Sequence, residues 1–165
     1  MPIPTLPRAA LALILLAAAA PAAAQERLKR GAYLATIMDC AGCHTPGVFL
    51  GKADPQREFA GSEVGFQIPG LGIFYPPNLT PDPETGLGRW SEADIVKAVR
   101  TGVRPDGRVL APAMPYAHYA KLTDADAFAL AAYLKSLKPV RHQVPALTGA
   151  SEKPTAPYLT VVMPE

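Results

Sequence analysis

Only two cysteines and three histidines occur in this 165-residue chain, and that scarcity sets limits at once. A structural zinc site needs four nitrogen or sulfur ligands, and Cys40 and Cys43 form one close pair with no second to match it. An excess of one charge is also lacking. The 16 Lys and Arg against 14 Asp and Glu are mixed along the chain without a basic block, which gives nucleic-acid binding no support. Past the N-terminus no apolar run approaches the roughly 20 residues that a transmembrane helix takes, so the mature chain is expected to be soluble.

The N-terminus does hold an apolar run, Ala9 to Ala20, preceded by Arg8 and followed by Pro21 and Ala22-Ala23-Ala24. The run is short for a span, and Ala22-x-Ala24 fits small-residue cleavage. Residues 1–24 therefore read as a secretory signal peptide removed near Ala24, and the destination is the periplasm. Loss of Arg8 lowers the formal charge from +2 to +1. What remains, 25–140, suits one domain, and 141–165 reads as an irregular tail without periodicity.

Cys40-Ala41-Gly42-Cys43-His44 is the strongest chemical signal. Two thiols three residues apart on a short helical turn face one edge of a porphyrin and can each add across a vinyl group. The adjacent imidazole then lies beneath the iron. A thioredoxin-like dithiol would expect a βαβ context, yet the residues before Cys40 read as helix. A disulfide across so short a loop would add little stability and leave His44 without a role. One pair of thiols predicts one covalent heme c and its iron, and export agrees with it, because such attachment is completed outside the cytoplasmic membrane in bacteria.

Periodicity predicts a first helix over about Glu26–Asp39, with Gly31 as a place for a second helix to approach closely. From Thr45 to Arg89 the chain is rich in Gly and Pro, which excludes a long helix there. Phe49, Phe59, Phe66, Phe74 and Tyr75 mark this stretch as a wrap over an apolar surface, with a short ribbon around Pro69-Gly70-Leu71-Gly72. Ser91 with Asp94 begins a helix to Arg100 that stops at Gly102. Thr123 with Asp126 begins the last, Asp124–Leu137.

An iron held by His44 alone leaves a position open to oxygen or peroxide, so a carrier needs a second axial ligand. Met114, between Pro112 and Pro115 and distant from His44 in sequence, is the choice. Met38 is too near Cys40 to reach the opposite face, Met163 lies in the tail, and His118 and His142 are weaker rivals. Trp90, Tyr75, Asn78 and Arg104 are candidates for donors to the heme propionates.

These pieces resemble the cytochrome c subunits of periplasmic dehydrogenases that oxidise alcohols, sugars, aldehydes or nicotinate. The resemblance runs in order through Arg30-Gly31-Ala32-Tyr33-Leu34-Ala35, Asp39 to Thr45, Phe59-Ala60-Gly61, Pro77-Asn78-Leu79-Thr80-Pro81-Asp82, Thr85 to Ser91, Met114-Pro115-Tyr116 and Leu122 to Leu137. It implies an all-α, class I cytochrome c-like domain around the heme, first and last helices crossing beside it, with Met114 as axial ligand. Many such subunits hold three consecutive heme modules, whereas one is seen here.

Electron transfer follows as the expected function, without a catalytic residue: single electrons pass from a dehydrogenase or respiratory donor to a terminal oxidase or another acceptor. Membrane association would come through a partner. The competing readings are a heme peroxidase or gas-binding protein with an open sixth position, and an exported binding module with a disulfide.

Overall fold

The computed structural model describes residues 8–164, with side chains from Ala22 onward. The signal-peptide reading falls on 1–24, so part of it lies outside the described residues. Five α-helices occur among those described, α1 (Arg8–Ile37), α2 (Cys40–His44), α3 (Glu92–Thr101), α4 (Tyr116–Tyr119) and α5 (Asp124–Ser136), with short 3-10 turns at Val48–Leu50 and Pro55–Arg57. None is long and apolar enough to cross a membrane.

The helix starts are set by local chemistry. Ser91 caps α3 with a reciprocal box, its hydroxyl accepting from the Asp94 N–H while the Asp94 carboxylate accepts from the Ser91 N–H. At the other end Gly102, at φ 73°, takes the left-handed turn that a Cβ would strain, and its N–H donates to the Ala98 carbonyl. Thr123 caps α5 in the same manner by accepting from Asp126. The helix α4 was not expected from the sequence, because a single turn has too few residues to show a period.

α1 and α5 cross at Gly31. A Cβ there would lie 2.1 Å from the Ala129 carbonyl oxygen and 2.6 Å from the Tyr133 Cβ, so only glycine permits this approach. Arg30 then reaches Asp126 at 2.8 Å, and Arg100 reaches Asp124 at 2.6 Å. The core between them comprises Leu34, Ala35, Cys40, Phe59, Leu87, Ile95, Leu130, Ala131 and Leu134, with Met38 and Trp90 packed against it. Lys135 holds the connection into α3 by donating to the carbonyls of Gly88 at 2.9 Å and Trp90 at 2.8 Å.

The all-α expectation needs correction, because a three-stranded sheet lies beside the helices. β1 (Gly65–Ile68) pairs antiparallel with β2 (Gly72–Phe74) in the register Phe66 to Phe74, around the turn at Pro69–Gly72. β3 (Tyr158–Leu159), from the tail, pairs parallel with β1, placing Gly65 opposite Tyr158. Extended segments leave backbone donors and acceptors unpaired, and pairing with each other satisfies them. The tail is also tied by Thr148 to Ile73, and by the His142 N–H, which donates to the Thr85 hydroxyl.

Candidate functional site

α1 ends at Ile37 and the chain turns sharply through Asp39, a non-glycine residue at φ 54°. This turn starts α2, which is one turn of helix and brings Cys40, Cys43 and His44 together. At the second intervening position, Gly42, a Cβ would lie 2.3 Å from the Asp39 carboxylate oxygen Oδ2, so the Asp39 side chain rests directly against this turn. Cys40 is buried, Cys43 is half-buried, and both are free thiols.

The electrostatics of the pair differ from those of a reactive dithiol. Burial, and then the charge of Asp39, pushes the Cys40 thiol up to about 11, and the same two causes raise Cys43. A disulfide oxidoreductase instead depresses a thiol to hold it as thiolate. Here both thiols are shifted toward the protonated form, and they are not joined to each other.

His44 is buried, and its Nδ1 lies 2.8 Å from the Pro77 carbonyl oxygen. A carbonyl can only accept, so Nδ1 holds the proton and Nε2 retains its lone pair. Burial lowers the imidazole's affinity for a second proton, an effect partly opposed by the bond to Pro77. The neutral tautomer with free Nε2 is the form that binds a metal.

Pro77 is placed by a polar hub that sequence reasoning missed as a structural centre. Asn78 is fully buried and uses its whole amide: Nδ2 donates to Thr85 Oγ1 at 3.0 Å and to the Val140 carbonyl at 2.7 Å, while Oδ1 accepts from the Thr80 N–H at 2.9 Å and hydroxyl at 2.8 Å. The signal was present as Asn-x-Thr, since Asn readily bonds the backbone two residues on. On the other side the Gly61 N–H donates to the His44 carbonyl at 2.8 Å, so the wrap grips α2 at backbone and ring.

Met114 stands on a separate segment, between α3 and α4, and is half-buried. Its carbonyl accepts from the Tyr116 N–H at 2.8 Å, at the start of α4. From the far end of α4 the Tyr119 hydroxyl donates to the Met38 carbonyl at 2.9 Å, two residues before Cys40. Burial, then the neighbouring Cys40, pushes that phenol up to about 12, so it stays a donor. Thus α4 ties the methionine segment to the approach of α2. Among the rivals, Met163 is 79% exposed in the tail, His118 is exposed, and His142 engages the Ala60 carbonyl through Nδ1 at 2.7 Å. Among the described residues no three His, Cys, Asp or Glu side chains converge as a metal site.

The family model for cytochrome c matches residues 28–138. A subunit of the nicotinate dehydrogenase of Pseudomonas putida is 48% identical over 119 residues, covering 72% of this chain and 9% of that protein. The cytochrome c subunit of the quinone alcohol dehydrogenase of Gluconobacter oxydans is 40% identical over 129 residues, 77% of this chain and 25% of the relative. The fructose dehydrogenase cytochrome subunit of Gluconobacter japonicus is 39% identical over 122 residues, 73% of this chain and 24% of the relative. The chain thus spans between about a tenth and a quarter of the length of these relatives. The donor set fits the heme c that this family implies: two reduced thiols on one turn, an imidazole with its Nε2 lone pair free, and a soft thioether on another segment.

Proposed function

The chain belongs to the cytochrome c family, and on that premise we propose that it is a periplasmic electron-transfer protein with one heme c, acting without catalysis of its own. When bound, the heme supplies a one-electron Fe(II)/Fe(III) couple. Cys40 and Cys43 would hold the heme as thioethers, and His44 Nε2 and Met114 Sδ would be the protein's donors to its iron. The contact between His44 Nδ1 and the Pro77 carbonyl is the observation that carries this reading, because it leaves the ligating nitrogen free in a neutral ring.

The residues divide the work. Asp39 makes the turn that starts α2, the Pro77 carbonyl holds the imidazole with Asn78 bracing the backbone beside it, and Tyr119 anchors the segment that follows Met114. With an imidazole and a neutral thioether both bound, the iron would favour Fe(II) and would be closed to oxygen and peroxide. A dehydrogenase is the proposed electron donor, in keeping with the names of the relatives, and a terminal oxidase or other exported redox protein is the acceptor. Residues 1–24 are the proposed export signal, and membrane association comes through the partner.

The test is peroxide-coupled heme staining of the exported, matured protein on a denaturing gel, with pyridine hemochrome to count hemes. One heme that stays with the polypeptide is the expected result. Colourless material, or pigment released into acidified acetone, overturns the proposal.

A further inference from the structure

One buried side-chain polar atom among the described residues has no hydrogen-bond partner, the Nε of Arg104. Two contacts hold the rest of that guanidinium. Its Nη2 pairs with Asp106 at 3.2 Å, and its central carbon lies 5.4 Å from the centroid of the Trp90 ring, within cation–π range. A buried donor left without an acceptor is disfavoured, so the site as built calls for one more acceptor on its inner side.

The backbone that presents Arg104 is well defined. Val103 bridges to Val109, the Arg104 N–H donates to the Arg108 carbonyl at 3.0 Å, and the Gly107 N–H returns to the Arg104 carbonyl at 2.9 Å. The turn also brings Arg108 near, whose charge is disfavoured by burial and then by Arg104 itself. Two guanidinium groups therefore share one carboxylate, Asp106. The hairpin is short of negative charge.

Other candidate donors are occupied elsewhere. Asn78 spends its amide on Thr80, Thr85 and Val140, and the Tyr75 hydroxyl donates to the Ala156 carbonyl at 3.3 Å. Trp90, under the guanidinium, packs against the core cluster to which Cys40 also belongs.

We propose that the Nε of Arg104 binds a propionate carboxylate of the heme, with Trp90 as the platform that holds the guanidinium and Arg108 as a second nearby cation. This rests on the covalent-heme reading above. An acidic side chain of a docking partner is the weaker occupant, because it would approach from solvent, whereas the unpartnered nitrogen has no exposed surface. The hairpin runs directly into the segment that ends at Met114, through a bond from the Leu110 N–H to the Gly102 carbonyl at 2.8 Å. Arg104 is thus a positioning residue for the methionine segment. It also offsets negative charge beside the iron and so favours Fe(II).

The test uses full-length matured protein as wild type, Arg104→Gln and Arg104→Lys. Heme staining comes first: colourless wild type would overturn the heme reading itself, independently of Arg104. With heme present in both, Arg104→Gln is expected to shift the Fe(III)/Fe(II) balance against a fixed mediator about threefold toward Fe(III), roughly 30 mV on the 59 mV per tenfold of a one-electron couple. Arg104→Lys should recover part of that shift. An unchanged potential in Arg104→Gln overturns the proposal. An unchanged potential with an altered salt dependence of electron exchange with an acidic redox protein overturns it too, in favour of partner docking. If Arg104→Gln does not accumulate, Arg104→Met takes its place under the same criterion.

Discussion

The Nδ1 of His44 and the carbonyl oxygen of Pro77 stand 2.8 Å apart, joining residues 33 positions distant in the chain. One hydrogen bond thereby assigns the ring's two nitrogens different jobs, one structural and one chemical. The acceptor lies in the irregular 76–80 segment, which Asn78 braces.

Asn78→Ala should therefore weaken the protein and the site together. It removes four hydrogen bonds from a fully buried position and leaves the Thr80 N–H without its acceptor, an expected loss of about 2–3 kcal/mol. A denaturant titration of the holoprotein measures it. A midpoint equal to wild type would show that the segment is held by other means.

Met114→Ala should leave the covalent heme in place while abolishing the far-red sulfur-to-iron absorption. The potential should fall, because the neutral soft ligand that favours Fe(II) is gone. The open position should then bind added cyanide or imidazole rapidly. An unaltered visible spectrum would remove Met114 from the iron, and a wild-type protein already high-spin would favour the peroxidase or gas-binding reading.

Gly31→Ala tests the crossing of α1 and α5. Helix propensity alone favours alanine, by about 1 kcal/mol. Packing opposes it, because the added Cβ would fall 2.1 Å from the Ala129 carbonyl oxygen, and a rigid backbone atom cannot yield as a side-chain tip would. Overpacking should win, with a net loss of about 1–3 kcal/mol seen as a lower Tm. A raised Tm would mean that the helices separate without cost.

Asp82 supplies a pH dependence. Its carboxylate accepts from the Thr85 N–H at 2.7 Å, the Thr85 hydroxyl at 2.8 Å and the Glu84 N–H at 3.1 Å. The Thr85 backbone bond first, and then the Thr85 hydroxyl, hold the group below its ordinary 3.8. As pH falls, the unfolded chain takes up this proton before the native state does. The stabilisation is thus complete above the ordinary value and is lost as pH drops through the depressed one. Asp82→Asn should flatten the acid limb of stability against pH, and an unchanged limb would show that Asp82 has no part in it.

The starts of α3 and α5 were legible because a cap is a contact between residues three apart. The chain Ser91-x-x-Asp94 holds both partners of its own hydrogen bonds. The thiol pair and its imidazole were legible for the same reason. Gly31 was legible as a close approach, but not with Ala129 as its partner. Expectation and structure part at the sheet: 158–159 has no period to announce a strand, and it becomes one only because β1 offers an unpaired edge.

The sequence by itself determined the local chemistry here: two sulfurs and an imidazole on one turn, caps at fixed spacing, and prolines that forbid helix. Tertiary structure alone decided which nitrogen of His44 stays free and which polar side chain is left without a partner. The physical reason is that a backbone carbonyl is the same group at every residue, so nothing in the letters marks Pro77 as the acceptor. Likewise an arginine becomes an orphan only after folding has buried its Nε and committed its neighbours elsewhere.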